Sequence, residues 1–114
     1  MRMPGHHITT APAGARVRIE IGGEVVAESD DALSLEETGL PTRYYLPRSD
    51  VRVELLPSDT TSHCPFKGDA SYHSIGEHRD VAWYYPDPKE KVAAIRDRIA
   101  FWKADVFVDG EPPG

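Results

Sequence analysis

The segment with the greatest mixture of reactive side chains runs from His63 to Ser74 and reads HCPFKGDASYHS. It contains Cys64, the single cysteine of the chain, with Lys67 three residues later. A nearby cation such as Lys67 or His63 stabilises a thiolate and turns a cysteine into a nucleophile. Cys64 is therefore a candidate catalytic residue for redox or transfer chemistry. The alternative is that Cys64 packs in the core as a small apolar side chain.

Four potential metal ligands lie close together in the sequence. Within sixteen residues the chain carries His63, Cys64, His73 and His78. Zinc sites usually contain local pairs of ligands, such as CxxC or closely spaced histidines on one helix. Neither pattern occurs here. The sequence therefore predicts no metal and no other cofactor, and we interpret the histidines as exposed or hydrogen-bonded side chains.

Aromatic and basic residues form another group of candidates. They are Arg43, Tyr44, Tyr45, Arg48, Tyr72, Trp83, Tyr84 and Tyr85. Because side chains alternate along a strand, Tyr44 and Tyr45 should point to opposite faces, one towards the core and the other towards a pocket or solvent. Aromatic side chains beside arginines can line a pocket for a planar or anionic small molecule. The alternative is ordinary cross-strand aromatic packing.

The two groups of candidates combine into one predicted pocket around the CPFKG loop. Its cations are Arg48 and Lys67, the basic residues of the motifs YYLPRSD and CPFKG. The predicted ligand-binding residues are Tyr45, Arg48, Cys64, Lys67, Tyr72 and Trp83. We expect the protein to bind an unidentified small molecule there. An enzyme that uses Cys64 remains open, as does a structural or interaction domain that forms a homodimer through an exposed sheet edge.

Composition narrows the classes of partner. The chain has 114 residues, enough for one domain, and a net charge of -6 that argues against non-specific binding of nucleic acid. No apolar stretch approaches the roughly 20 residues that a membrane helix needs, so we expect no membrane partner. The start MRMPGHHITT lacks the apolar run of a signal peptide. With its lone cysteine, the protein is expected to be cytoplasmic.

Alternation of polar and apolar residues predicts most of the secondary structure as strands. Residues 16–21 and 24–29 flank Gly22 and Gly23, which predicts a hairpin because glycine supplies the positive φ angles of tight turns. Residues 51–55 alternate again and should end before Pro57, since proline cannot donate to a ladder. Further short strands are predicted at 32–36, 43–46, 60–62, 70–75, 81–85, 99–102 and 106–108.

One main helix is predicted near the C-terminus. Asp87 is a good N-cap, Pro88 suits the first helical position, and Glu90 completes a capping box. Val92 and Ile95 then begin an apolar face at helical spacing. The expected fold class is mainly β, with antiparallel sheets and this helix. Residues 1–14 contain two prolines and two glycines and are predicted to form an N-terminal arm, followed by a single domain at 15–114.

The order of the motifs resembles one known family. It is carried by the Gly-Gly hairpin, by RYYLPRSDV at 43–51, by CPFKGDASY at 64–72, by AWYYP at 82–86 and by IAFW at 99–102. These segments span nearly the whole chain and resemble the mostly bacterial family filed as domain of unknown function 427, for which one classification uses a nucleotidyltransferase-like label. The pattern CP-x-KG-x-A-x-Y is its most specific part.

The resemblance implies a β-tent fold, similar to that of Mss4-like proteins and methionine sulfoxide reductase B. Many β-tent proteins hold zinc with two CxxC pairs, which this chain cannot supply because it has one cysteine. The family has no established catalytic residues to transfer. Asp30 and Asp31 follow the glycine pair, but adjacent acids on a strand diverge instead of sharing a magnesium ion. The nucleotidyltransferase-like label therefore finds no counterpart in these residues.

Overall fold

The computed structural model describes residues 5–111 and consists mainly of short strands. The first four residues of the predicted arm and the predicted chain end at 112–114 lie outside the described range. The strands are β1 (Ile8–Pro12), β2 (Val17–Ile21), β3 (Glu24–Ser29), β4 (Leu33–Glu37), β5 (Arg43–Tyr45), β6 (Leu56–Cys64), β7 (Gly68–Ile75), β8 (His78–Tyr84), β9 (Ala100–Phe101) and β10 (Asp105–Val108). They form three antiparallel sheets, in the orders β1-β4-β5, β10-β2-β3 and β6-β7-β8-β9. The prediction of a mainly β, antiparallel fold is confirmed.

The predicted hairpin joins β2 to β3. Ile21 pairs with Glu24 across a two-residue turn in which Gly22 and Gly23 have φ angles of 60° and 83°. Both glycines thus occupy the left-handed region that a type I′ turn requires. Along β2 every second side chain is buried, as the alternation at 16–21 predicts.

Part of the predicted N-terminal arm is a strand. β1 pairs with β4 over its full length, from Ile8 opposite Glu37 to Pro12 opposite Leu33. Ile8 is buried in the core, and this contact anchors the strand to the domain. Pro12 is the last residue of the edge strand β1, a position where the missing N–H is tolerated.

The strand predicted at 51–55 is absent, whereas the one predicted at 60–62 lies within the longer strand β6. Among residues 51–55, Val51 makes an isolated bridge to Ala27, and the strand itself starts at Leu56 and includes Pro57. β6 is an edge strand whose pairing with β7 is interrupted by a bulge between Pro57 and Thr61. An edge position and a bulge are where a strand tolerates proline, so Pro57 does not end the strand.

The prediction of a main helix near the C-terminus is wrong. Within residues 5–111 no helix reaches seven residues, and the segment in question is a pair of 3₁₀ turns over Glu90–Ile95. Val92 lies at a kink with φ -122° and ψ 28°, and Asp87 does not cap the segment. The backbone N–H of Lys89 instead donates to the carbonyl of Lys67 at 2.9 Å, which holds Lys89 extended. The other 3₁₀ turn is Arg48–Asp50.

The buried residues form two clusters on either side of the third sheet. The first cluster joins β2 and β3 to β8 and β9 and includes Val17, Ile19, Val26 and Ile99. The second joins β1, β4 and β5 to β7, β8 and the 3₁₀ segment, through Ile8, Leu35, Tyr45, Ala70, Trp83, Tyr85, Val92 and Ile95. In the described part of the chain, no helix is long and apolar enough to cross a membrane.

Candidate functional site

A cavity of about 520 Å³ opens over the second cluster, between the sheet β1-β4-β5 and the sheet β6-β7-β8-β9. Its size lies within the range of roughly 300–1,000 Å³ that is typical of ligand pockets. Its lining is largely aromatic and aliphatic with a few charged groups: Leu35, Glu37, Leu40, Pro41, Arg43, Tyr45, Thr60, Lys67, Tyr72, Asp80, Trp83, Tyr85 and Trp102.

The cavity contains four of the predicted ligand-binding residues, and three of them form its aromatic wall. Trp83 lies between Tyr45 and Tyr72, with ring centroids 6.5 Å from Tyr45 in a T-shaped arrangement and 6.3 Å from Tyr72. The indole Nε1–H of Trp83 donates to Tyr45 Oη at 3.4 Å. Tyr72 is partly exposed, and its hydroxyl lies 2.9 Å from Ser62 Oγ. These contacts fix the three rings, which together line one wall of the cavity.

Two buried phenols face the same cavity. Burial raises the pKa of Tyr45 to about 12, and burial likewise raises the pKa of Tyr85, so both hydroxyls keep their protons at neutral pH. The Tyr85 side chain is almost fully buried, but its hydroxyl is not a buried atom without a partner; within 5–111 that description applies to His73 Nδ1, outside the cavity. Water or a polar group of a ligand can therefore reach the Tyr85 hydroxyl from the cavity.

Lys67, the fourth predicted residue in the cavity, is held in an almost buried ion pair. Its Nζ donates to Glu37 Oε1 at 2.6 Å, and the two side chains are 13% and 7% exposed. The other carboxylate oxygen of Glu37 lies 2.8 Å from Nε2 of His6, whose ring stacks on Phe66. Burial alone would raise the pKa of Glu37, but the hydrogen bonds from Lys67 and His6 outweigh it and hold that pKa below its ordinary value. Lys67 is thus a neutralised charge in the wall.

The turn that carries Lys67 depends on Gly68. Lys67 N–H donates to the carbonyl of Cys64 at 3.2 Å, and the Lys67 carbonyl accepts from Lys89. Gly68 has a φ of 114°, and a Cβ there would lie 3.3 Å from the carbonyl oxygen of Asp87. The turn and the segment after β8 therefore approach so closely that only glycine fits without strain.

We expect Gly68→Ala to destabilise the domain by about 2–3 kcal/mol, because it adds backbone strain to a steric conflict with Asp87. The matched control is Gly76→Ala, since Gly76 also has a positive φ, of 55°, but has no heavy atom within 4 Å of the added Cβ. That variant should lose only the left-handed penalty of about 1 kcal/mol. Urea unfolding of both variants measures the difference. Equal losses would show that the approach to Asp87 is not constrained.

Arg43 is the second cation that lines the cavity. Its guanidinium carbon lies 5.1 Å from the ring centre of Trp83 and 5.8 Å from that of Trp102. One N–H of the guanidinium donates to the carbonyl of Phe101 at 3.3 Å. No carboxylate within residues 5–111 forms an ion pair with it. Arg43 therefore brings an uncompensated positive charge to the cavity.

Asp80 contributes a carboxylate to the lining of the cavity. Its two oxygens accept hydrogen bonds from Ser58 Oγ at 2.5 Å and Thr60 Oγ1 at 2.7 Å. These hydroxyls hold the pKa of Asp80 below its usual value. Asp80 adopts a φ of 54°, and its own backbone N–H donates to Ser74 Oγ, which positions the residue.

The structure places Arg48 outside the cavity. Arg48 lies in the 3₁₀ turn after Pro47, where the alternation of β5 no longer orients side chains. Its guanidinium covers the ring of Tyr84 at 4.8 Å and lies 3.3 Å from Nε2 of His73. Burial and the charge of Arg48 lower the pKa of His73, so the imidazole is neutral and can accept from Arg48. Because Tyr84 and Trp83 are neighbours on β8, this cluster lies on the opposite face of the sheet.

Cys64 also does not line the cavity. It is the last residue of β6, pairs with Gly68 and is half-buried. His63 points elsewhere and binds the exposed Asp69 through Nδ1 at 2.6 Å. Across the described positions, no three His, Cys, Asp or Glu side chains gather in a way that could hold a metal ion.

The predicted set of ligand-binding residues left out several lining residues, among them Arg43, which belonged to the wider group of aromatic and basic candidates. Arg43 shares a face with Tyr45 because they are two residues apart on β5, a spacing that favours Arg43 over Arg48. Glu37 and Lys67 are thirty residues apart, and nothing local links them. Trp102 follows the short strand β9, where its exposed side chain gives no pattern.

The comparisons with known proteins identify a family without assigning an activity. A comparison with curated proteins finds no match. The model of the family described as domain of unknown function (DUF427) matches residues 9–111, a range that holds every residue lining the cavity. The predicted resemblance is thus confirmed, and the chain belongs to the DUF427 family.

Proposed function

We propose that this protein is a small-molecule-binding domain whose ligand is planar and enters the cavity between the two sheets. The observation that carries the proposal is the lining: five aromatic side chains, two of them buried phenols, and four charged side chains surround about 520 Å³. A pocket of mostly apolar walls with a few oriented polar groups is the usual form of a ligand site. The proposal includes the cytoplasmic location expected from the lone cysteine.

Reversible binding accounts for the site better than catalysis by Cys64. A covalent mechanism needs the nucleophile at the cavity, and Cys64 is not among the residues that line it. The polar groups that do line it are largely engaged: Glu37 with Lys67, and Asp80 with two hydroxyls. Side chains that are already held by their neighbours are suited to shaping a binding pocket and less suited to transferring a proton.

We further propose that the sheets correspond to the β-tent architecture that the family resemblance implies. Three small antiparallel sheets with the cavity between two of them support this comparison.

The chain offers an internal reporter for a test of binding. Its two tryptophans, Trp83 and Trp102, both line the cavity. The two indole N–H signals in a ¹⁵N–¹H spectrum should therefore shift together during a titration with planar fragments. We expect saturable shifts from a subset of aromatic fragments and none from aliphatic polyols of the same size.

Two tyrosines on neighbouring strands provide the matched variants. Tyr72 and Tyr84 are both partly buried, but Tyr72 lines the cavity and Tyr84 contacts His73 on the other face. Tyr72→Ala should weaken fragment binding about tenfold, because an aromatic contact contributes roughly 0.5–1.5 kcal/mol. Tyr84→Ala should leave binding unchanged. If no planar fragment moves the indole signals, or if both variants behave alike, the proposed function is wrong.

A further inference from the structure

The charges around the cavity are not equivalent, and their differences point to the chemistry of the ligand. Lys67 contacts Glu37 at 2.6 Å, so this pair adds no net charge. The carboxylate of Asp80 accepts from the hydroxyls of Ser58 and Thr60, which satisfy its oxygens but leave its negative charge in the lining. Arg43 alone of the charged lining residues has neither an ion-pair partner nor a hydrogen bond to another side chain within the described range; its hydrogen bond is to the backbone carbonyl of Phe101.

The position of Arg43 is also fixed in advance of binding. Its guanidinium lies over Trp83 at 5.1 Å and near Trp102 at 5.8 Å, and one of its N–H groups is anchored on the carbonyl of Phe101. Arginine has five N–H donors in a planar fork and the hydrogen bond to Phe101 uses one of them, so donors remain for a ligand in the cavity that Arg43 lines. A carboxylate matches this fork with two parallel hydrogen bonds.

We infer that the ligand is a planar aromatic carboxylate and that Arg43 is the residue that selects the anion. This inference rests on the proposed function, since it names the class of compound that the same cavity takes. The ring would lie against Trp83 and Tyr72, and the carboxylate would accept from Arg43. The choice of a carboxylate over a phosphate follows from charge, because Arg43 is the one cation of the lining without an ion-pair partner in the described range and the nearby carboxylates of Glu37 and Asp80 disfavour a second negative charge on the ligand.

A pair of probes that differ only in charge tests the inference. 2-Naphthoate and 2-naphthamide have the same shape, and both can stack in the cavity, but only the first is an anion at neutral pH. Titrations are followed by the indole N–H signals of Trp83 and Trp102. The intact protein should bind naphthoate about 10- to 100-fold more tightly than the amide, the range expected for a charge-assisted hydrogen bond.

Arg43→Gln should remove this preference, so that the variant binds naphthoate and the amide with affinities within about twofold of each other. Arg43→Lys should retain part of it, since lysine keeps the charge but not the planar fork. Arg48→Gln is the matched control: Arg48 also covers an aromatic ring, but outside the cavity, so this variant should keep the full preference.

The outcomes separate the two levels of the proposal. Equal affinity of the intact protein for naphthoate and amide would overturn the anion inference and leave the proposed function standing. A preference that survives in Arg43→Gln would overturn the assignment of Arg43. Absence of saturable binding by either probe at millimolar concentration would contradict both the inference and the proposed function.

Discussion

Lys67→Met is expected to destabilise the domain by about 3 kcal/mol at neutral pH. The Glu37 side chain is 7% exposed, and removal of Lys67 leaves its charge buried with His6 as the remaining partner. Breaking a buried ion pair by removing one member commonly costs about 3–5 kcal/mol, and we expect the lower end because His6 stays. Urea unfolding measures the change.

The dependence of this loss on pH identifies Glu37 as its cause. The pKa of Glu37 in the folded protein lies below its ordinary value of 4.5, so its ion pair stabilises the fold above that value. The stabilisation is lost as the pH falls through the folded pKa, because the protonated carboxyl no longer needs a cation. The difference between the native protein and Lys67→Met should therefore shrink when unfolding is repeated at about pH 3.

Two further variants separate a buried pair from an exposed one. Arg96→Met removes a cation whose contact with Asp87 is 3.6 Å long and whose side chain is half exposed, so it should change stability by only about 0–1 kcal/mol. The double variant Glu37→Leu with Lys67→Met should recover most of the loss, because replacing both charges leaves none unpaired. If Lys67→Met is no more harmful than Arg96→Met, the pair is not buried in solution.

The strands could be predicted from the sequence where their signals were local. The hairpin around Gly22 and Gly23 needs only two alternating runs and two residues that accept positive φ, and all of these are adjacent. The segment after Pro88 shows the opposite case. Its capping residues favour a helix, but a hydrogen bond from Lys89 to Lys67, on a distant turn, holds the first residue extended. Burial of Val92 and Ile95, three residues apart, suits a 3₁₀ turn equally well.

The residues of the site could likewise be predicted only in part, because some of its contacts are not visible in the local sequence. Tyr45, Tyr72 and Trp83 could be found because aromatic residues on strands tend to pack together across a sheet. Arg48 was preferred to Arg43 by its place in a motif, whereas strand alternation decides which arginine shares a face with Tyr45. The ion pair between Glu37 and Lys67 could not be anticipated, because it joins β4 to a turn in another sheet.

Truncation of the two tryptophans of the cavity should change the free energy of unfolding by very different amounts. Trp83 is 9% exposed and contacts Tyr45, Tyr72 and Arg43, so Trp83→Ala removes the centre of the second cluster. We expect a loss of about 3–5 kcal/mol in the free energy of unfolding, as for other buried aromatic residues. Trp102 is 51% exposed and contacts the cluster through Arg43. Trp102→Ala should therefore stay within about 1 kcal/mol of the native protein.

The effect of Trp102→Ala on ligand affinity should be larger than its effect on stability, and it shows whether this indole contacts the ligand. Trp102→Ala should fold normally yet bind 2-naphthoate about 2- to 10-fold more weakly, because it removes an exposed aromatic surface at the mouth of the cavity. Since the chain has two tryptophans, the single indole signal left in this variant belongs to Trp83 and should still shift on titration. Unchanged affinity would exclude Trp102 from the ligand site. A large loss of stability in Trp102→Ala would instead show that the exposed indole is part of the core.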